Sequence, residues 1–116
     1  MIKIEIYEEP KEYVYRQKLV TWEEAMEFGE KNGLKLLDID ELCSIPYEEI
    51  MKIFGVMTGY RDTDGSFTSR GVNAYFWSSS DAGSSAWRRT LLYCHATEYR
   101  YTNDKSYGFS AIYKKE

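Results

Sequence analysis

Cys94 and His95 stand next to each other, and they are the residues of this chain best suited to nucleophilic chemistry. A thiol needs a base to activate it, and His95 is the single histidine of the sequence. Adjacent residues in a strand point to opposite faces, so these two side chains would lie apart. The sequence shows no third residue that would orient the imidazole. We therefore predict that the protein is not an enzyme.

Asp62-Thr63-Asp64-Gly65 places two carboxylates in a turn, as at the beginning of a calcium-binding loop. The glutamate that would end such a loop is absent, since position 73 is Asn. Asp81, Asn103 and Asp104 could complete a site only in three dimensions. A plain β-turn is the favoured interpretation of Asp62 and Asp64. We predict no cofactor, with calcium as the one weak candidate.

A third group of residues is suited to binding rather than to catalysis. It consists of aromatic and basic side chains in strand-like segments: Trp87, Arg88, Tyr99, Arg100 and Tyr101. Such side chains are common interface anchors because they give a large contact area with few rotors to freeze. Arg88 and Arg89 are adjacent, so in a strand only one of them can join a given patch. A strand face in contact with water is an equally good interpretation. Trp77 is predicted to lie in the core, whereas Trp87 fits the core and the surface about equally well.

The first half of the chain carries an excess of acidic side chains. Residues 1–58 contain thirteen acids and seven bases, whereas residues 59–116 contain six acids and eight bases. Glu23, Glu27 and Glu30 would share the wet face of a helix. A face in contact with water is the simple interpretation. The alternative is a surface that imitates a phosphate backbone and occupies the basic groove of another protein.

Local signals predict the elements that position these residues. Thr21-Trp22-Glu23-Glu24 is a capping box that begins a helix, which ends at Asn32-Gly33. Asp38 and Glu41 repeat the capping pattern for a second helix, and residues 47–54 read as a third. Residues 8–18 are predicted to contain a loop, and Tyr13 and Tyr15 could extend a short strand. Residues 34–37 are predicted to form a short extended link.

Alternating apolar residues predict the strands. Ile2, Ile4 and Ile6 share one face of an N-terminal strand, which can pair with the strand at the C-terminus. Further short strands are predicted near residues 56–60, 66–68, 74–78, 86–93, 98–102 and 108–114. Glycine, asparagine and aspartate mark turns between them.

Composition bounds the class of protein. The chain has 116 residues, of which 43% are hydrophobic and 29% charged, which is typical of one globular domain. A net charge of -4 argues against a general nucleic-acid binder. Two cysteines cannot form a disulfide scaffold, and no stretch is long and apolar enough to span a bilayer. The alternating start is not a secretory signal, so we expect a cytoplasmic protein or one carried by a virion.

Several blocks of the sequence carry a family resemblance. The blocks are Gly59-Tyr60-Arg61, Asp64-Gly65-Ser66-Phe67, Ala74-Tyr75-Phe76-Trp77-Ser78-Ser79-Ser80, Ser85-Ala86-Trp87 and Asn103-Asp104-Lys105-Ser106-Tyr107-Gly108-Phe109-Ser110. With Thr21-Trp22-Glu23-Glu24-Ala25 and Asp40-Glu41-Leu42 they resemble the Fibrobacter succinogenes major paralogous domain over about residues 20–113. The resemblance implies a C-type-lectin-like fold, related to that of formylglycine-generating enzymes and of phage receptor-binding proteins.

These observations together give one interpretation. We expect residues 1–116 to form a single α+β domain of C-type-lectin-like architecture. Two or three helices would pack on a twisted antiparallel sheet closed by the N- and C-terminal strands, with a loop-rich C-terminal half. The predicted function is non-catalytic recognition of a protein or glycan, in a bacterial or phage setting. The alternative is a small intracellular inhibitor or counter-defence protein that acts through Glu23, Glu27 and Glu30. The many aromatic residues make a homodimer plausible, and no membrane insertion is expected.

Overall fold

A mixed β-sheet and three helices contain most of the residues that the structure, a computed structural model, describes. These residues are 13–54, 57–92 and 95–115, with the side chains of 53 and 95–99 excepted. In chain order the elements are β1 (Tyr13–Val20), α1 (Trp22–Lys31), β2 (Leu34–Leu36), α2 (Ile39–Ser44), α3 (Tyr47–Phe54), β3 (Tyr60–Arg61), β4 (Phe67–Thr68), β5 (Asn73–Ala82), β6 (Ser85–Leu92), β7 (His95–Asp104) and β8 (Phe109–Lys115). The chain is therefore of the α+β class, as predicted.

The main sheet is mixed rather than antiparallel. Its strand order is β1-β8-β5-β6-β7, and β2 also pairs with β8. β5 and β8 run parallel, with Phe76 opposite Ser110 and Trp77 opposite Ala111, while the other pairs in this sheet are antiparallel. The prediction of an antiparallel sheet is wrong at this junction. A parallel pair needs a long connection between its strands, and here that connection contains the whole β6–β7 hairpin.

The short strand suggested for Tyr13 and Tyr15 is confirmed and is longer than predicted, so the loop predicted within residues 8–18 does not include Tyr13 onward. Tyr13–Val20 is a strand that pairs with β8. Its first residues contact apolar clusters on both faces, since Tyr13 and Tyr15 pack on one cluster and Val14 packs on another. The predicted strand containing Ile2, Ile4 and Ile6 lies outside the described residues.

The C-terminal half is richer in strands than the prediction of a loop-rich region allowed. The short strands predicted in the second half are observed as the longer strands β5 to β8, which cover most of residues 73–115. β5 and β6 form one hairpin and β6 and β7 another. The predicted strand at 56–60 is observed only at its end, as β3. Residues 34–36 form a strand instead of a link, because β2 pairs with β8.

The first two helices begin at the capping residues predicted for them. The Thr21 hydroxyl accepts the Glu24 N–H at 3.3 Å, and the Glu24 carboxylate accepts the Thr21 N–H at 2.9 Å. Asp38 and Glu41 form the same reciprocal pair at the start of α2. None of the helices in the described part of the chain is both long and apolar enough to cross a bilayer.

Arg89 joins the sheet to the end of α2. Its side chain is only 2% exposed, and its Nη1 donates to the carbonyl oxygens of Leu42 and Ile45 at 2.7 and 2.8 Å. These carbonyls belong to the C-terminal end of the helix, where a positive charge is favoured. Trp77, as predicted, is fully buried, and its indole N–H donates to the Val20 carbonyl at 3.0 Å.

Replacing Arg89 by Met should destabilise the fold strongly. Arg89→Met keeps an apolar stem but removes the donors for two buried carbonyls, and each loss of this kind costs about 1–3 kcal/mol. We expect a decrease of about 2–4 kcal/mol in the free energy of unfolding, measured by urea denaturation. Lys35→Met, at an exposed position of β2, is the control. Equal stability of the two variants would contradict this role of Arg89.

Candidate functional site

The structure divides the predicted cluster of Trp87, Arg88, Tyr99, Arg100 and Tyr101 between the two faces of the sheet. Arg88 pairs in register with Tyr101, so both lie on one face. Arg89 pairs with Arg100 and faces the helices on the other, which confirms the prediction that Arg88 and Arg89 point apart. By strand alternation Trp87 shares the face of Arg89, and Tyr99 pairs through its backbone with Thr90. The side chain of Tyr99 lies outside the described part.

Arg100 and Trp87 do not join Arg88. Arg100 Nη1 lies 3.1 Å from Asp40 Oδ1, at the beginning of α2. Trp87 is 36% exposed near the β5–β6 turn. Arg88 and Tyr101 are therefore the two members of the predicted cluster that the structure brings together.

Arg88 lies at one side of a small cavity lined by aromatic rings, which we call the aromatic pocket. The cavity has a volume of about 110 Å³, and its lining residues are Tyr60, Tyr75, Arg88, Asn103, Tyr107 and Phe109. The Tyr60 ring lies edge-on to those of Tyr75 and Tyr107, with centroids 4.9 and 5.8 Å away. Phe109, at the base of these rings, is buried and stacks on Tyr75 at 5.3 Å. Ring packing of this density holds the walls of the pocket in place.

The guanidinium of Arg88 is held by aromatic faces and neutral acceptors. Its Cζ lies 5.1 Å from the ring centre of Tyr75 and 5.3 Å from that of Tyr101. Nε donates to Asn103 Oδ1 at 2.5 Å, and Nη1 donates to the Thr90 hydroxyl. Among the described residues no carboxylate forms a salt bridge with Arg88. Burial lowers the pKa of this guanidinium from its usual value, and it stays protonated at neutral pH.

The pocket can supply stacking surfaces, hydrogen-bond donors and one cation. Its lining contains no carboxylate, thiol or imidazole among the described residues. Cys94 and the side chain of His95 lie outside the described part of the chain, so the predicted absence of catalysis stays a prediction. The arrangement is suited to binding a polar or acidic group against aromatic rings.

Asp62 and Asp64 use their carboxylates within their own turn. Asp62 Oδ1 accepts the Thr63 N–H at 2.7 Å, and Asp64 Oδ1 accepts the N–H and the hydroxyl of Ser66 at 2.9 and 2.6 Å. The hydrogen bonds from Ser66 lower the pKa of Asp64. Within the described ranges no three acidic, cysteine or histidine side chains are grouped so that they could hold a metal ion. The turn interpretation therefore accounts for both aspartates.

Glu23, Glu27 and Glu30 are exposed on α1, as predicted. Glu27 forms an ion pair with Lys31 across one turn of the helix, at 2.7 Å. Met26 is also partly exposed on this helix, at 36%. On the inward side, Trp22 donates its indole N–H to the Ser78 carbonyl at 2.8 Å.

Sequence reasoning missed Tyr60, Tyr75 and Tyr107 as members of a site. All three lie within the blocks that carried the family resemblance, but they are far apart in the sequence. Parallel pairing of β5 and β8 brings Tyr75 beside Phe109, and β3 adds Tyr60. Alternation in Ala74-Tyr75-Phe76 was the local signal that Tyr75 faces away from the core of Phe76.

No protein-family model matches the chain, and neither a curated protein nor a solved structure matches it. The resemblance to the Fibrobacter succinogenes major paralogous domain therefore stays a prediction.

Calcium should not stabilise this protein. A site with a dissociation constant of about 0.1 mM, saturated at about 10 mM calcium, would add about 2.7 kcal/mol to the free energy of unfolding. Since Asp62 and Asp64 already satisfy their own turn, we expect the melting temperature to change by less than about 1 °C, measured with calcium and with a chelator. Magnesium at equal concentration controls for ionic strength. A calcium-specific increase that Asp64→Asn abolishes would show that a site exists there.

Proposed function

We propose that this protein is a non-catalytic binding module, of C-type-lectin-like architecture, that recognises a protein or glycan through the aromatic pocket, Arg88 and Tyr101. The observation that carries the proposal is the position of Arg88. It is a half-buried cation between two tyrosine rings, without a carboxylate partner among the described residues.

A buried cation without an acid is costly unless something else stabilises it. Tyr75 and Tyr101 offer the negative faces of their rings, while Asn103 and Thr90 offer oxygen atoms. A guanidinium has five N–H donors, and two of those of Arg88 meet acceptors within the described residues. The remaining donors suit a carboxylate, a sulfate or the hydroxyl groups of a sugar.

The size of the pocket favours a group that projects from a larger ligand. Complete small-molecule sites usually have volumes of about 300–1,000 Å³. The aromatic pocket, at about 110 Å³, holds one side chain or part of one sugar ring. Tyr101 is 56% exposed beside it and can extend the contact over a flat surface. Both features support binding to a macromolecule rather than to a metabolite.

The order of the elements is the structural support for the proposed architecture. Two capped helices precede a strand-rich half, and the first described strand pairs with the last. Together with the sequence blocks, this agrees with a C-type-lectin-like domain. Members of the family that the sequence resembles are mostly bacterial surface or phage-associated proteins, and we propose a bacterial or phage setting for this chain too, acting in a cytoplasm or on a virion.

The acidic face of α1 is the alternative binding surface. The exposure of Glu23, Glu27 and Glu30 supports an intracellular inhibitor that binds a basic groove. Lys31 offsets part of that charge through its ion pair with Glu27. We therefore favour the aromatic pocket as the binding surface, and the acidic face of α1 is the comparison surface in the test.

Arg88→Gln should weaken ligand binding without unfolding the protein. The immobilised protein would be incubated with cell-envelope material and with soluble lysate of a candidate bacterial host, and the retained ligand would be identified and its affinity measured. We expect both Arg88→Gln and Tyr101→Ala to weaken the affinity at least tenfold, which corresponds to about 1.4 kcal/mol. Both side chains are partly exposed, so the change in unfolding free energy should stay below about 1.5 kcal/mol.

The matched control is the triple variant Glu23→Gln, Glu27→Gln, Glu30→Gln. It should bind like the unchanged protein if the aromatic pocket is the site. A ligand that the triple variant loses and Arg88→Gln keeps would assign binding to α1 instead. A ligand that all of these variants bind with unchanged affinity would show that neither surface is the binding site.

A further inference from the structure

A second and larger cavity lies between β1, β3 and β4, and we call it the basic groove. Its volume is about 570 Å³. Three cationic side chains line it, namely Lys18, Arg61 and Arg70, together with the apolar side chains of Leu19, Met57 and Phe67. This volume falls within the range of complete small-molecule sites, unlike that of the aromatic pocket.

The positive charge of the groove is only weakly offset within the described residues. Arg61 Nη2 lies 4.0 Å from Glu24 Oε1, at the outer limit of an ion pair. The same Glu24 oxygen accepts the Thr21 N–H and so is engaged in the helix cap. Arg70 has no salt bridge with a described carboxylate, and its guanidinium lies 4.1 Å from the ring centre of Phe67. The groove therefore has a local excess of positive charge in a protein of net charge -4.

Backbone contacts hold the two arginines in place. Arg61 exchanges two hydrogen bonds with Gly108, at 2.9 and 2.8 Å. The loop that carries Arg70 is tied to the opposite wall by the hydrogen bond from the Gly71 N–H to the Met57 carbonyl, at 2.7 Å. Thus hydrogen bonds fix the main chain from which the two arginine side chains extend.

The loop before Arg70 has an unusual backbone. Ser69 has a φ of 60°, which is uncommon for a residue other than glycine. Gly59 packs so closely that a Cβ there would come within 2.2 Å of the Thr68 carbonyl oxygen. A left-handed backbone at a residue other than glycine, as at Ser69, tends to occur at binding sites, where the surrounding structure holds it.

We propose that the basic groove binds a small organic anion, in which a carboxylate or phosphate group is joined to an apolar body. The anionic group would contact Arg61 and Arg70, and the apolar body would cover Leu19, Met57 and the ring of Phe67. Phe67 is 55% exposed, so it has apolar surface for a ligand to bury. An extended nucleic-acid strand is disfavoured because it needs a longer basic track than three side chains provide.

The basic groove is independent of the proposed recognition surface. Tyr60 lines the aromatic pocket and Arg61 lines the groove, as expected for neighbours on β3 that point to opposite sides. A ligand in the groove therefore need not contact Arg88. The two proposals can fail separately.

The test is an NMR titration of the full chain with phenyl phosphate and, in parallel, with benzoate. We expect saturable shifts of the backbone amides of Arg61, Phe67 and Arg70, and an affinity that falls as salt is raised. Benzyl alcohol and inorganic phosphate are the matched probes, each lacking one half of the ligand. Both should bind at least tenfold more weakly than phenyl phosphate. A response to phenyl phosphate but not to benzoate would narrow the class to phosphates.

Substitutions test whether the basic groove is the site that binds phenyl phosphate. Arg70→Gln should weaken phenyl phosphate binding at least tenfold, and since Arg70 is exposed the fold should persist. Lys35→Gln removes a cation elsewhere on the surface and should have no effect, and Arg88→Gln should also leave this binding intact. Equal binding of benzyl alcohol and phenyl phosphate would overturn the proposal. Shifts that appear at Arg88 and Tyr101 instead of at the groove would overturn it too.

Discussion

The burial of β8 on both faces is the constraint on which the rest of the structure depends. Phe109, Ser110, Ala111, Ile112 and Tyr113 are each at most 1% exposed. Because successive side chains of a strand point to opposite faces, Phe109, Ala111 and Tyr113 pack in one apolar cluster and Ile112 in another. β1 pairs along one edge of β8, while β5 and β2 pair along the other. Both clusters therefore rest on this single strand, and so does the base of the aromatic pocket.

Local signals in the sequence predicted the parts of the fold that depend on local contacts. The capping residues Thr21 and Asp38 satisfy backbone groups within one turn, so their effect can be read from four residues. The extent of β1 could not be read in this way. Arg16 interrupts its apolar pattern, yet the guanidinium lies 4.0 Å from the ring centre of Phe28, a contact between distant parts of the chain. The parallel pairing of β5 with β8 is likewise non-local, and no pattern within either strand encodes its partner.

The candidate site could be predicted only in part, because local strand alternation can be read from the sequence and the pairing between strands cannot. Strand alternation correctly separated Arg88 from Arg89, and the structure gives them opposite roles. Arg89 is buried against two helix carbonyls, whereas Arg88 is half-buried against aromatic rings. Alternation also places Trp87 and Arg100 away from Arg88, but the sequence alone did not give the register of β6 on β7. Without that register, a cluster chosen by residue type combined side chains from both faces.

Two residues of β3 connect the two candidate sites. Tyr60 packs with Tyr75, Tyr107 and Phe109 at the aromatic pocket, and Arg61 lines the basic groove. β3 pairs with β4 over two residues. Two isolated bridges join it to the rest of the protein, one between Gly59 and Ala74 and the other between Arg61 and Gly108. A Cβ atom at either glycine would meet close neighbours. It would come within 2.2 Å of the Thr68 carbonyl oxygen at Gly59 and within 2.9 Å of the Arg61 Cβ at Gly108. A short strand seated this closely moves little on its own, so β3 holds Tyr60 at the aromatic pocket and Arg61 at the basic groove in fixed positions.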